Sequence, residues 1–242
     1  MVKLYFIFVI DYKKKSIVKI MLIKIIEKLR IVAISKRIIN LFPYKLLKKM
    51  HNSLIIPVYH TIESNHILTK YLINTPNRKK FKEDITFLLK EYQSIPISEI
   101  LDRGKSKNAI KKPSFHLTFD DGFSDNYEIG MNFLKQHKID ATFFIVKDFV
   151  DNKKMFYRNK ASLIINHLES NDNKRNTKIV FDFLKSNKMF TDSIRSSLLN
   201  IKYSNKNRLN EIANLINLDL QEYLQTKKPY MSSEQIHDLV EA

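Results

Sequence analysis

Two adjacent carboxylates, Asp120 and Asp121, stand directly before Gly122 at the end of an apolar run. Upstream, Phe115, Leu117 and Phe119 alternate with His116 and Thr118, the period-two signature of a strand. Downstream, Tyr127, Gly130, Met131 and Leu134 recur at helical spacing with Ser124 placed as an N-cap, and Ala141 to Val146 returns to a short apolar strand. The pattern predicts a β-α-β unit with paired acids at the exit of its first strand, where α/β proteins place their chemistry. The pair suits three roles. Asp and Gly are turn formers in their own right. An aspartate pair after a strand also serves phosphoryl transfer, although that pattern separates the acids by one residue and these are contiguous. In metal-assisted hydrolysis, one carboxylate binds the ion while its neighbour takes a proton from the bound water.

The elements that must position this pair belong to a chain of 242 residues, enough to bury a core as one large α/β domain or two small ones. With no cysteine, disulfides and thiolate metal sites are excluded, so any metal is held by oxygen and nitrogen. The net charge of +17 is unevenly placed: residues 1–50 carry thirteen Lys or Arg against two Asp or Glu, and the other 192 residues twenty-nine against twenty-three. The charge thus belongs mainly to an N-terminal appendage. No zinc finger, aromatic nucleic-acid motif or helix-turn-helix accompanies it, which argues against nucleic acid as a partner.

Residues 1–52 read as a basic amphipathic N-terminal region. The apolar run Leu4 to Ile10 is followed by Lys13, Lys14 and Lys15, the reverse of the charge order in a secretory signal. From Ser16 to Leu41 charges such as Lys19, Lys24, Glu27 and Arg30 interrupt the apolar pattern before it reaches the roughly 18 residues of a spanning helix. Residues 1–50 therefore suit a basic helix on an anionic membrane surface, a helix packed on the domain, or a leader of little consequence. A peripheral membrane position is the one localisation the sequence suggests.

Residues 53–242 read as the folded domain. Leu54 to Tyr59 is the expected first strand, delivering His60 to a strand end where it could line a site, although a lone histidine is more commonly a structural hydrogen-bonder. Thr75 to Tyr92 is an expected helix with Thr75 as N-cap, Pro76 in its first turn, and Phe81, Ile85, Leu88 and Leu89 on one face. A further helical turn opens at Ser98 and is expected to stop at Gly104. Residues 151–228, polar and rich in Asn and Lys, carry helical patterns and read as a helical insertion with His167 as a core or edge histidine. In the final stretch, Ser232 and Gln235 form a capping box before Ile236, Leu239 and Val240.

Thr118-Phe119-Asp120-Asp121-Gly122, entered from an apolar strand and followed by a helix and the strand ATFFIV, closely resembles the first motif of the polysaccharide deacetylase family. This is the NodB-homology domain, carbohydrate esterase family four. The resemblance extends to Ile56–Ile62 as the opening strand, Phe81–Leu101 as the next helix and connector, and Pro229–Ala242 as the helix entering the second motif. It implies an α/β fold, the N-terminal part of a distorted (β/α) barrel, here with a helical insertion and a basic N-terminal helix. It further implies metal-dependent hydrolysis of the acetamide C–N bond of N-acetylated polysaccharides or oligosaccharides. By the same resemblance, Asp120 is the general base and Asp121 a ligand to a divalent metal, commonly zinc; His60, Thr118 and Gly122 are candidates to line the site.

The family's other two metal ligands lie in a His-Ser/Thr-x-x-His motif. Here the histidines stand at 51, 60, 66, 116, 137, 167 and 237, no two closer than six residues. The motif would fall just after the helix that begins at Ser232, where the sequence stops. The expectation is therefore a truncated chain, inactive alone. The alternatives are a degenerate, non-catalytic domain that binds polysaccharide or a partner at a membrane surface, and a hydrolase that completes its site with His60 and another chain.

Overall fold

The run Ser114–Phe119 is the axis of the sheet in the structure of the chain, a computed structural model that describes residues 54–62, 67–73, 75–106, 112–170 and 174–241. It forms β4 (Ser114–Phe115) and β5 (Leu117–Phe119). Along one side lie β1 (Leu54–Ile55) and then β2 (Val58–Tyr59), both parallel to it. Along the other side lie β3 (Gln93–Ser94) beside β4 and β6 (Ala141–Phe143) beside β5, again parallel. The expected first strand is thus divided at Ile56-Pro57, yet its register is unbroken. Leu54 faces Ser114 and Val58 faces Thr118. The N–H groups of His116, Thr118 and Asp120 donate to the carbonyls of Ile55, Pro57 and Tyr59 at 3.0, 3.0 and 2.8 Å. Pro57 has no N–H to give, which suits a strand at the edge of the described sheet.

The polar members of the alternating central strand are buried as well. His116 and Thr118 are only 1% and 5% exposed. A parallel strand covered on both faces has no solvent side, so its polar residues must find partners inside. His116 does so by joining the two strands that share one flank of the axis. Its Nδ1 lies 2.9 Å from the Ile95 carbonyl and its Nε2 2.8 Å from Thr142 Oγ1 on β6. A carbonyl can only accept, so Nδ1 carries the proton and Nε2 takes the threonine hydroxyl. Burial lowers the pKa of this imidazole, in keeping with that neutral tautomer.

The helix α1 (Arg78–Glu91) buries Phe81, Ile85 and Leu88 against the sheet, as its spacing predicts. Its cap is Asn77, whose side chain accepts the Lys80 N–H at 2.8 Å, and not Thr75; Pro76 therefore precedes the helix. The next helix, α2 (Ile97–Ser106), runs through Gly104, one residue type that weakens a helix without forbidding it. After the acidic turn the chain forms a π-helical segment, Asn126–Gly130, and then α3 (Met131–Gln136). Ser124 is not its side-chain cap; its N–H is engaged by the Pro229 carbonyl at 2.9 Å.

Five helices follow: α4 (Tyr157–Ser170), α5 (Lys174–Ser186), α6 (Ile194–Leu199), α7 (Asn207–Leu215) and α8 (Leu220–Lys227). They pack around Ile164, Val180, Leu184, Leu198, Leu209 and Ile212. His167 is half-buried at the edge of this cluster, 3.5 Å from the Asn176 amide. The last helix, α9 (Ser233–Glu241), begins with the expected capping box: Gln235 Oε1 accepts the Ser232 N–H at 3.0 Å and Ser232 Oγ accepts the Gln235 N–H at 3.1 Å. The described chain is therefore mixed α/β with parallel strands and many helices. The basic N-terminal region and its membrane reading lie outside the described residues. Among the described residues, no helix is long and apolar enough to cross a membrane.

Candidate active site

Asp120 leaves β5 with its N–H still in the ladder, and its side chain is 36% exposed. The next two residues turn the chain in the left-handed region, Asp121 at φ 68° and Gly122 at φ 70°. For Asp121 this costs about 1–2 kcal/mol, moderated by the tolerance of aspartate for that conformation. At Gly122 a second constraint applies, because an added Cβ would meet Ile145 Cδ1 at 3.1 Å.

A distant segment holds this turn open. The Met231 N–H donates to the Gly122 carbonyl at 2.9 Å, and Phe123 and Tyr230 form an antiparallel bridge. The Tyr230 ring stacks between Phe123 and Phe149, at centroid distances of 5.2 and 4.9 Å. Its hydroxyl accepts from Asn159 Nδ2 at 2.7 Å and from the Phe156 N–H at 3.3 Å. Tyr230 is fixed in turn by Asn152, whose amide donates to its carbonyl at 3.0 Å and accepts its N–H at 2.9 Å. Neither residue stands out in the sequence. A Pro-Tyr-Met before a capping box reads as a helix approach, and an Asn in an Asn-rich stretch carries no signal.

Beside Asp120 stands His60, with Nε2 3.9 Å from Asp120 Oδ2. Two successive residues of the helical turn secure the segment that carries it. The buried Asp125 accepts the Thr61 hydroxyl and the Ile62 N–H, the latter at 2.7 Å, and Asn126 Nδ2 donates to the His60 carbonyl at 2.8 Å. Asp125 is the residue before the π segment and Asn126 its first, and both are buried. A π turn, frequent at functional sites, is a local departure that apolar spacing does not announce. Thr118 lies within the sheet, its hydroxyl donating to the Pro57 carbonyl at 3.0 Å.

Burial raises the pKa of Asp120, and His60 opposes that shift. Asp121 is raised for the same first reason, again opposed by His60 and reinforced by the charge of Asp120. An open cleft of about 730 Å³ abuts the site on the His60 side, bordered by Tyr59, His60, Thr61, Asn77, Lys80 and Asp84. The structure thus brings His60, Asp120 and Asp121 to one strand end. The described residues do not, however, fit a catalytic zinc, which takes three protein ligands. No group of three His, Asp or Glu side chains among them is placed to hold one ion.

Residues 107–167, from the approach to β4 into α4, match the polysaccharide deacetylase family. The matched segment contains the whole Asp120-Asp121-Gly122 turn, together with the π segment, α3 and β6. The solved structure of IcaB from Ammonifex degensii is similar at 18% identity over 49% of this chain, with a TM-score of 0.38. The chain covers 51% of that structure, about half its length. No curated protein matches the chain.

Proposed function

We propose that the chain carries part of a polysaccharide deacetylase site and acts on N-acetylated polysaccharide or oligosaccharide. The observation that carries this reading is the Asp120-Asp121-Gly122 turn at a parallel strand's exit, left-handed at Asp121 and Gly122, inside the segment that matches the family. Backbone held in a sparsely populated region is characteristic of functional sites.

The reaction is hydrolysis of an acetamide. Water attacks the carbonyl carbon, the C–N bond breaks, and acetate and an amine leave. Asp120, the general base of this reading, accepts a proton from the attacking water, and that proton passes on to the amine nitrogen as the C–N bond breaks. His60, beside it, offsets its charge when protonated. The role that the resemblance gives Asp121, ligand to a divalent metal, requires two further ligands from outside the described residues. The absence of a three-ligand group among the described residues favours a second reading: a domain that binds the polymer without hydrolysing it. A distorted barrel, with residues 151–228 inserted into it, is the architecture proposed for the intact domain.

The test is acetate release from a chito-oligosaccharide by the full chain, with and without added zinc. Hydrolysis that falls roughly 10²–10⁴-fold in Asp120→Asn, at unchanged folding, supports the deacetylase reading. Binding without any acetate release from well-folded protein establishes the second reading instead.

A further inference from the structure

A cleft of about 540 Å³ lies between α4, α7 and α8, within the roughly 300–1,000 Å³ range of small-ligand sites. None of its residues takes part in the steps above. Its apolar surface comes from Met155, Leu218, Leu220 and Leu224, of which Met155 and Leu224 are buried. Four carboxamides, Asn210, Asn214, Asn217 and Gln221, share the lining. Among the described residues, the side-chain amides of Asn214, Asn217 and Gln221 make no hydrogen bond to the protein and are exposed. Asn210 is oriented: Lys160 Nζ donates to its Oδ1 at 2.8 Å, which leaves its NH₂ group to donate.

The chemistry of this lining selects among ligands. A carboxamide both donates and accepts, as sugar hydroxyls and acetamido groups do, whereas an anion calls for donors alone. Asp219 adds a carboxylate to the same lining, where its Oδ1 caps α8 by accepting the N–H groups of Gln221 and Glu222 at 2.7 and 2.9 Å. Lys160 already spends a donor on Asn210 Oδ1, and burial and the neighbouring Lys206 lower its pKa. The apolar residues suit the C–H faces of pyranose rings. Met155 and Leu224 also belong to one apolar cluster with Phe123 and Tyr230, so the cleft and the acidic turn are built on the same packed unit.

We propose that this cleft is a second carbohydrate-binding site, which holds a stretch of N-acetylated polymer away from the acidic turn. The inference rests on the substrate class proposed above.

The test uses the full chain and a neutral N-acetylated chito-oligosaccharide, with binding measured by calorimetry and mapped by amide chemical shifts. Shifts over residues 210–224 are expected, together with about five- to tenfold weaker binding in Asn214→Ala/Gln221→Ala, from the loss of two exposed hydrogen bonds. Circular dichroism confirms folding of that variant, and the shift map of the unaltered chain stands independently of it. Asp120→Asn is expected to lose acetate release and keep the cleft shifts. Three results overturn the inference: no binding, binding that leaves residues 210–224 unmoved, or a sulfated oligosaccharide that occupies the cleft at least as tightly. Acetate release is read separately, so the deacetylase reading stands or falls on its own result.

Discussion

Replacing Asn152 tests whether the acidic turn is held from a distance. Asn152 is 5% exposed and sits at φ 57°, with both ends of its amide spent on the backbone of Tyr230. Asn152→Ala strands the N–H and the carbonyl of Tyr230 in a buried setting, at about 1–3 kcal/mol each. Alanine in the left-handed region adds about 1–2 kcal/mol. Relaxation and entry of water recover part of this, so we expect a net loss of about 3–5 kcal/mol. For a domain of this size that is a fall in Tm of about 6–20 °C. Urea denaturation followed by circular dichroism measures the loss. Asn152→Gly, which removes the amide but accepts the positive φ, should recover about 1 kcal/mol of it. A loss below about 1 kcal/mol in Asn152→Ala would refute the reasoning, because Tyr230 would then have found other partners.

Three further outcomes are expected. The lowered pKa of His116 means that the unfolded chain takes up a proton near pH 6.5 while the folded chain resists it, so this group's contribution to stability is present above about 6.5 and is lost below it, as pH falls through the lower folded pKa; urea midpoints should show a shallower acid decline in His116→Gln. Asp121 has the opposite sign: its raised pKa means that ionisation costs stability as pH rises, so Asp121→Asn should raise the neutral-pH Tm while abolishing any acetate release. Gly122→Ala should lose about 1–2 kcal/mol, and Ile145→Val in the same background should recover little if φ strain rather than the Cδ1 contact dominates, as equilibrium denaturation of both variants will show.

The sequence discloses what depends on neighbours within a few positions. The alternating Phe115, Leu117 and Phe119, the α1 face of Phe81, Ile85 and Leu88, and the Ser232–Gln235 box all appear where their local patterns put them. The two aspartates are legible for the same reason. What it leaves unread is reciprocity across distance. Asn77 replaces Thr75 as the cap through a choice between adjacent candidates that propensity alone does not decide. The inward side of His116 depends on Ile95 and Thr142, and the turn depends on Asn152 and Tyr230. The clamp of Asp125 and Asn126 on residues 60–62 needs a π turn that a period of 3.6 residues conceals.

The bond from the Met231 N–H to the Gly122 carbonyl also sets an order of events during synthesis. At roughly 5–20 residues per second, the ribosome reaches Met231 about 5–20 s after Gly122. Throughout that interval β4, β5 and the preceding strands have all the residues they need to pair, but the acidic turn lacks its clasp. Helices α4 to α8 are synthesised first. The strands can therefore pair before the two carboxylates are fixed, and the site is complete only when the polypeptide returns to it.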